Sequence, residues 1–176
     1  MTPRSLTRTT LATAALGAVA IVPAAAPGDP GQAAAKKITA AGVGKVKLGK
    51  TFRELRDAGL IGRLRQGCEL SGPNTRSARL KAPLKGSVDF TRTSPRRVKR
   101  IAVRGGAKAR GVGIGATVAQ IKTAFPKAKV DHTTEQLFRI TLVKIPKDGG
   151  GRIQFAVDVD TKKTTLIGVP AIAFCE

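Results

Sequence analysis

Few residues in this chain could do chemistry, and their spacing is the first constraint. His132 is the only imidazole. It sits in Asp131-His132-Thr133-Thr134-Glu135, a polar stretch that reads as a solvated loop or strand edge. A hydrolase needs a nucleophile beside a base, paired carboxylates or a metal cluster, and the stretch around His132 offers none of these. Asp158 and Asp160 share one side of a strand at a period of two, which would suit a weak cation site, but in a polar hairpin this pattern reads as a solvent face. Gly111-Val112-Gly113-Ile114-Gly115 stands between a strand and a helix, as a dinucleotide-binding turn does. Its spacing is Gly-x-Gly-x-Gly rather than Gly-x-Gly-x-x-Gly and no acid follows at the required distance, so the glycines read as turn punctuation. No catalytic, cofactor-binding or metal-ligating residue is assigned. The expectation is a protein that is not an enzyme and takes no cofactor.

Charge is the stronger signal. The 176 residues hold 32 Lys and Arg against 11 Asp and Glu, a net of +21, and such a field draws polyanions over about 8 Å at physiological salt. Arg92, Arg96, Arg97, Lys99, Arg100, Arg104, Lys108 and Arg110 crowd into one short stretch. On a strand through Val98 to Arg104, Ile101 and Val103 point one way and Arg100 and Arg104 the other, which suits guanidinium contact with phosphate or carboxylate oxygens. Arg92, Arg96, Arg97, Arg100 and Arg104 are therefore the expected anion-contacting residues. With no Trp or Tyr and six Phe, the cluster lacks a platform for stacking bases, which argues against nucleic acid. An anionic cell-envelope polymer, lipid headgroups or an acidic protein remain as partners.

The first residues read as an address label. Arg4 and Arg8 precede a charge-free run from Leu11 to Val22, and small residues follow at Val22-Pro23-Ala24, the pattern of a signal peptide cleaved after residue 24. The twelve-residue apolar run falls short of the ~20 needed for a membrane-spanning helix. Cleavage would remove two bases and no acid from the total, leaving +19 on the mature chain. Residues 25–37, rich in Ala, Gly and Pro, read as a flexible lead-in. An exported chain with two Cys, Cys68 and Cys175, is expected to join them in a disulfide.

The elements that must position these groups show internal repetition. Leu48-Gly49-Lys50-Thr51-Phe52-Arg53-Glu54-Leu55 lies over Ile114-Gly115-Ala116-Thr117-Val118-Ala119-Gln120-Ile121 at a constant offset of 66. In each, Thr followed three residues on by Glu or Gln predicts a capping box and a helix start, with Gly49 and Gly115 making the tight entry. Downstream, Gly86 to Phe90 matches Gly151 to Phe155, and Val98 to Val103 matches Thr164 to Val169. Ile153, Phe155, Val157 and Val159 alternate with polar or small residues, as do Phe138, Ile140 and Leu142, the period of half-buried strands. Asp160-Thr161-Lys162-Lys163 reads as a hairpin turn. The expected fold is α+β, a tandem repeat of a short helix packed on a small antiparallel sheet, with units at 38–104 and 105–176 that share a core or extend one another's sheet.

The apolar-Gly-x-Thr start, short helix and strands ending near a Cys resemble small exported proteins of the β-lactamase-inhibitory-protein-like group and BamE-type assembly lipoproteins, over about residues 40 to 176. That resemblance implies a binding or scaffold protein. Neither specific activity carries over: the aromatic anchors of the inhibitory proteins and the lipid-attachment Cys of the lipoproteins are missing. The resulting expectation is an exported bacterial binding or scaffold module contacting an anionic envelope component or acidic partner. The alternative is a secreted inhibitor of an extracytoplasmic enzyme.

Overall fold

Alternating Val, Ile, Leu and Phe build strands through most of the chain, and two Thr-initiated segments interrupt them with helices. A computed structural model describes residues 35–68, 74–148 and 151–174; the expected signal peptide and nearly all of the lead-in lie outside the described residues. Strands Lys36–Thr39 (β1), Gly42–Val43 (β2) and Val46–Lys47 (β3) lead into helix Phe52–Asp57 (α1). Ile61–Gln66 (β4), Arg76–Leu80 (β5), Lys85–Phe90 (β6) and Val98–Gly105 (β7) follow, then Ala107–Lys108 (β8) and helix Val118–Ala124 (α2). Lys129–Asp131 (β9), the one-turn helix Glu135–Phe138 (α3), Ile140–Asp148 (β10), Gly151–Asp158 (β11) and Thr164–Val169 (β12) complete the chain. Among the described residues no helix is long and apolar enough to cross a membrane.

The expected tandem of two small helix-on-sheet units is overturned by the sheet topology. One eight-stranded sheet runs β4-β5-β6-β7-β12-β11-β10-β9, and a separate four-stranded sheet runs β3-β2-β1-β8. The join is antiparallel pairing of β7 with β12, Ile101 opposite Val169 and Val103 opposite Ile167. Each of these four side chains is essentially inaccessible, so splitting the sheet there would expose the centre of the core. The helices are only six, seven and four residues long. The small sheet owes nothing to the repeat, for β1 pairs in parallel with β8, Lys36 opposite Ala107. Phe138, expected to open a strand, instead ends α3. The resemblance to inhibitory-protein-like and BamE-type tandem proteins falls with the tandem itself.

What does repeat is the local helix start. Thr51 Oγ1 accepts from the Glu54 amide at 3.2 Å while the Thr51 amide donates to Glu54 Oε2 at 2.7 Å. Thr117 and Gln120 make the same reciprocal pair at 3.3 and 2.9 Å. Gly49 and Gly115 precede the caps at φ +80° and +84°. A Cβ at either would meet nothing within 4 Å, so the left-handed backbone, not crowding, calls for glycine.

The inner face of the large sheet is the core. Phe90 and Phe155 lie at its centre; Phe52 meets Phe90 edge-on at 5.5 Å, and Phe125 leans on Phe155 at 6.0 Å. Leu55 and Ile121, each helix's buried side chain, join the same cluster, as do Ile38, Val43 and Val46 of the small sheet. Burying each such side chain contributes about 1.5–3 kcal/mol, and one cluster spans both halves. The β11–β12 hairpin forms as the spacing predicts: Asp158 Oδ1 accepts from the amides of Asp160 and Thr161 at 3.2 and 2.7 Å, and Lys162 turns the chain at φ 56°.

Of the expected Cys68–Cys175 bridge, only Cys68 is a described residue. It is half-buried and not a free thiol, with Sγ 3.9 Å from the carbonyl oxygen of Phe174. Cys175, its expected partner, lies outside the described residues.

Candidate functional site

The strand alternation that buries one side of the sheet fixes what the other side carries. Across β4–β7 the register sets Arg65 opposite Ser77, Ser77 opposite Asp89, and Asp89 opposite Arg100. Two residues along, Arg79 faces Ser87, and Ser87 faces Ala102. Arg104 continues the side of Arg100 and Ala102, because Ile101 and Val103 between them are buried. This outer face therefore bears four arginines and one acid, on strands about 4.8 Å apart. Arg65, Arg79 and Arg104 are exposed.

Asp89 and Arg100 are its anchor. Arg100 Nη1 donates to Asp89 Oδ2 at 3.3 Å, with side-chain exposures of only 17% and 15%. Burial pushes the Asp89 carboxyl above the usual carboxylate value, and the nearby Arg100 and Lys99 charges oppose that rise. The pair forms part of the wall of a cavity of about 350 Å³, which Thr75, Thr91, Arg92 and Lys99 also line. Anions meeting this face thus find guanidinium groups presented by paired strands, and a recess where Arg92 and Lys99 add charge at one end.

The five arginines singled out from sequence do not form one footprint. Arg92 lies in the β6–β7 connection and lines the recess with Arg100. Arg97 donates through Nη1 to the Gly49 carbonyl at 3.0 Å, tying that connection to the turn before α1. Arg96 is half-buried, its Nε enclosed without a hydrogen-bond partner. Arg104 is four residues beyond Arg100, about 13 Å along the strand. Arg65 and Arg79 were missed because they lie far from the cluster in sequence. Their signal was the alternation Arg63-Leu64-Arg65 and Ala78-Arg79-Leu80, which shows a basic outer side without showing that β4 and β5 sit beside β7.

Asp131, Glu135, Asp158 and Asp160 are tied into local structure. His132 Nδ1 lies 2.6 Å from Glu135 Oε1, and Glu135 also accepts from the Thr141 hydroxyl. The Thr141 bond, then His132, hold Glu135 below the usual carboxylate range. Asp131 accepts from Lys144 and from Thr133, which depress its carboxyl strongly. Asp158 is the acceptor of its turn, which lowers its carboxyl, and Asp160 pairs with Arg139. Among the described residues no three His, Cys, Asp or Glu side chains converge as metal ligands would. The glycines fall in two turns: Ala109 and Val112 exchange backbone bonds of 2.7 and 2.9 Å around Arg110 and Gly111, and the Ala116 amide donates to the Gly113 carbonyl at 3.2 Å.

No protein-family model matches the chain, and neither a curated protein nor a solved structure matches it.

Proposed function

We propose that this is an exported, non-enzymatic binding module that takes an anionic cell-envelope polymer against the outer face of β4–β7. The observation that carries the reading is the four-to-one excess of arginine over acid on that face. A flat, paired-strand surface suits an extended polymer, since guanidinium groups on neighbouring strands can meet successive anionic groups with charge-assisted hydrogen bonds. The absence of Trp and Tyr from the chain disfavours a nucleic-acid ligand bound by base stacking. No observation favours the alternative of a secreted enzyme inhibitor, which rested on the repeat alone.

The test is retention of the purified protein on immobilised poly(glycerol phosphate) at low and moderate salt. Removing three charges from the face with R65S/R79S/R104S should weaken binding by roughly tenfold or more, because charged hydrogen bonds are each strong. Removing three exposed charges elsewhere, with K45S/K122S/K163S, should matter much less. Equal losses in the two variants would mean that net charge alone is sensed; no retention of the wild type would redirect the search to an acidic protein.

A further inference from the structure

A second recess lies away from the arginine face and is built differently. Two adjoining cavities of about 280 and 340 Å³ share Arg110, Phe125, Ile145 and Pro146. Ile38 and Ile153 extend the apolar floor at one end, with Lys37 on the rim there; Lys127 stands at the other end. Among the described residues lining either cavity there is no acid.

Arg110 is the informative residue. It sits in the tight turn between Ala109 and Val112 at φ 46°, followed by Gly111 at φ 83°. Two consecutive positive φ values in a two-residue loop favour Asn-Gly, and a long side chain there carries a conformational cost that an Asn avoids. The arginine at this place has its guanidinium 5.1 Å from the centroid of the Phe125 ring, and both residues line both cavities. Cation–π contact holds the charge at the edge of an apolar trough.

We propose that this groove binds a single-chain anionic amphiphile, the apolar chain lying along Phe125, Ile145 and Ile153 and the carboxylate meeting Arg110. An extended peptide would need free backbone edges to pair with, and the groove supplies few. The sheet order places β1 between β2 and β8 and β11 between β10 and β12, and Pro146 has no amide to donate. An amphiphile requires only what is present, apolar contact and one fixed cation. The inference does not depend on the polymer reading.

Calorimetric titration of the purified protein with laurate, 1-dodecanol and acetate at neutral pH tests it. Laurate should saturate one site, with dodecanol and acetate each at least about tenfold weaker, as expected when both a charged hydrogen bond and apolar burial contribute. R110N should weaken laurate by about tenfold while the variant still folds cooperatively, because Asn accepts this turn conformation readily. K127S should weaken it less. Absence of saturable laurate binding, equal affinity for dodecanol or acetate, or undiminished binding by R110N would each overturn the proposal.

Discussion

On the outer side of β10, β11 and β12, Leu142, Ala156 and Leu166 lie side by side as a second, smaller apolar cluster, with Ile140 of β10 and, beyond β12, Ile172 and Phe174 packed against it. The segment after β12 crosses this side, the Ile172 amide donating to Gln154 Oε1 at 2.9 Å and the Phe174 ring stacking on Phe138 at 4.5 Å. On β4–β7 the same side carries Arg65, Arg79, Arg100 and Arg104, and the apolar cluster reaches it only at Ala102 of β7, which packs against its edge. Inner faces equivalent in kind thus back onto outer faces of opposite character. Within one continuous sheet, outward-facing side chains decide whether a strand group becomes a covered layer or an exposed basic surface.

Exchanging the two characters should give the largest effect. Leu142→Arg would place an unpaired charge beneath the covering segment and should cost about 3 kcal/mol or more in urea unfolding. Arg79→Leu, on the exposed side, should stay within about 0.5 kcal/mol. A cost below about 1 kcal/mol for Leu142→Arg would mean that the covering segment is not a true layer.

The Asp89–Arg100 pair sharpens the comparison from the basic side. Removing one partner of a largely buried pair strands the other, so Asp89→Ala should cost about 1–3 kcal/mol. Replacing both with Leu should cost less than the single change, since desolvation of two ions is relieved together. The pH dependence follows from the raised carboxyl: the folded state holds this proton more tightly, so Asp89's contribution declines as pH rises from 3.8 through its folded value. Asp89→Asn should lack that decline in a series of unfolding midpoints. A double Leu variant worse than Asp89→Ala would show that the pair is net stabilising.

Legibility followed sequence distance. The capping boxes at Thr51 and Thr117 and the hairpin turn after Asp158 were readable because each is closed within three residues. Pairing of β7 with β12 joins residues about 66 apart, and no local period announces it. The four-stranded sheet was invisible because β2, β3 and β8 have two residues each, too few to show alternation. Arg100 was correctly placed opposite the core, but its partner was not: the β6–β7 register slips at a bulge between Asp89 and Phe90. Phe138 fitted an alternating strand pattern by residue type, yet Arg139 takes φ 56° and breaks the chain between helix and strand.

The two helix starts offer the finest comparison, because the same box is closed by a charged group in one half and a neutral one in the other. Thr51→Ala and Thr117→Ala should each cost about 1 kcal/mol at neutral pH. Lys50 bonds Glu54 at 2.6 Å. That bond, with the Thr51 amide and hydroxyl, lowers the Glu54 carboxyl from 4.5 to about 2. A depressed acid stabilises the fold above its unfolded pKa and loses that contribution as pH falls through the folded one. Wild type should therefore exceed E54Q in urea midpoint at neutral pH, the gap closing between about 4.5 and about 2. Q120E tests the reverse placement: its second box has no counterpart of Lys50, since Ala116 occupies that position, so its gain over wild type should be smaller and should close at a higher pH. If the two boxes instead gave identical pH curves, Lys50 would contribute nothing, and the halves would differ only on their outer faces.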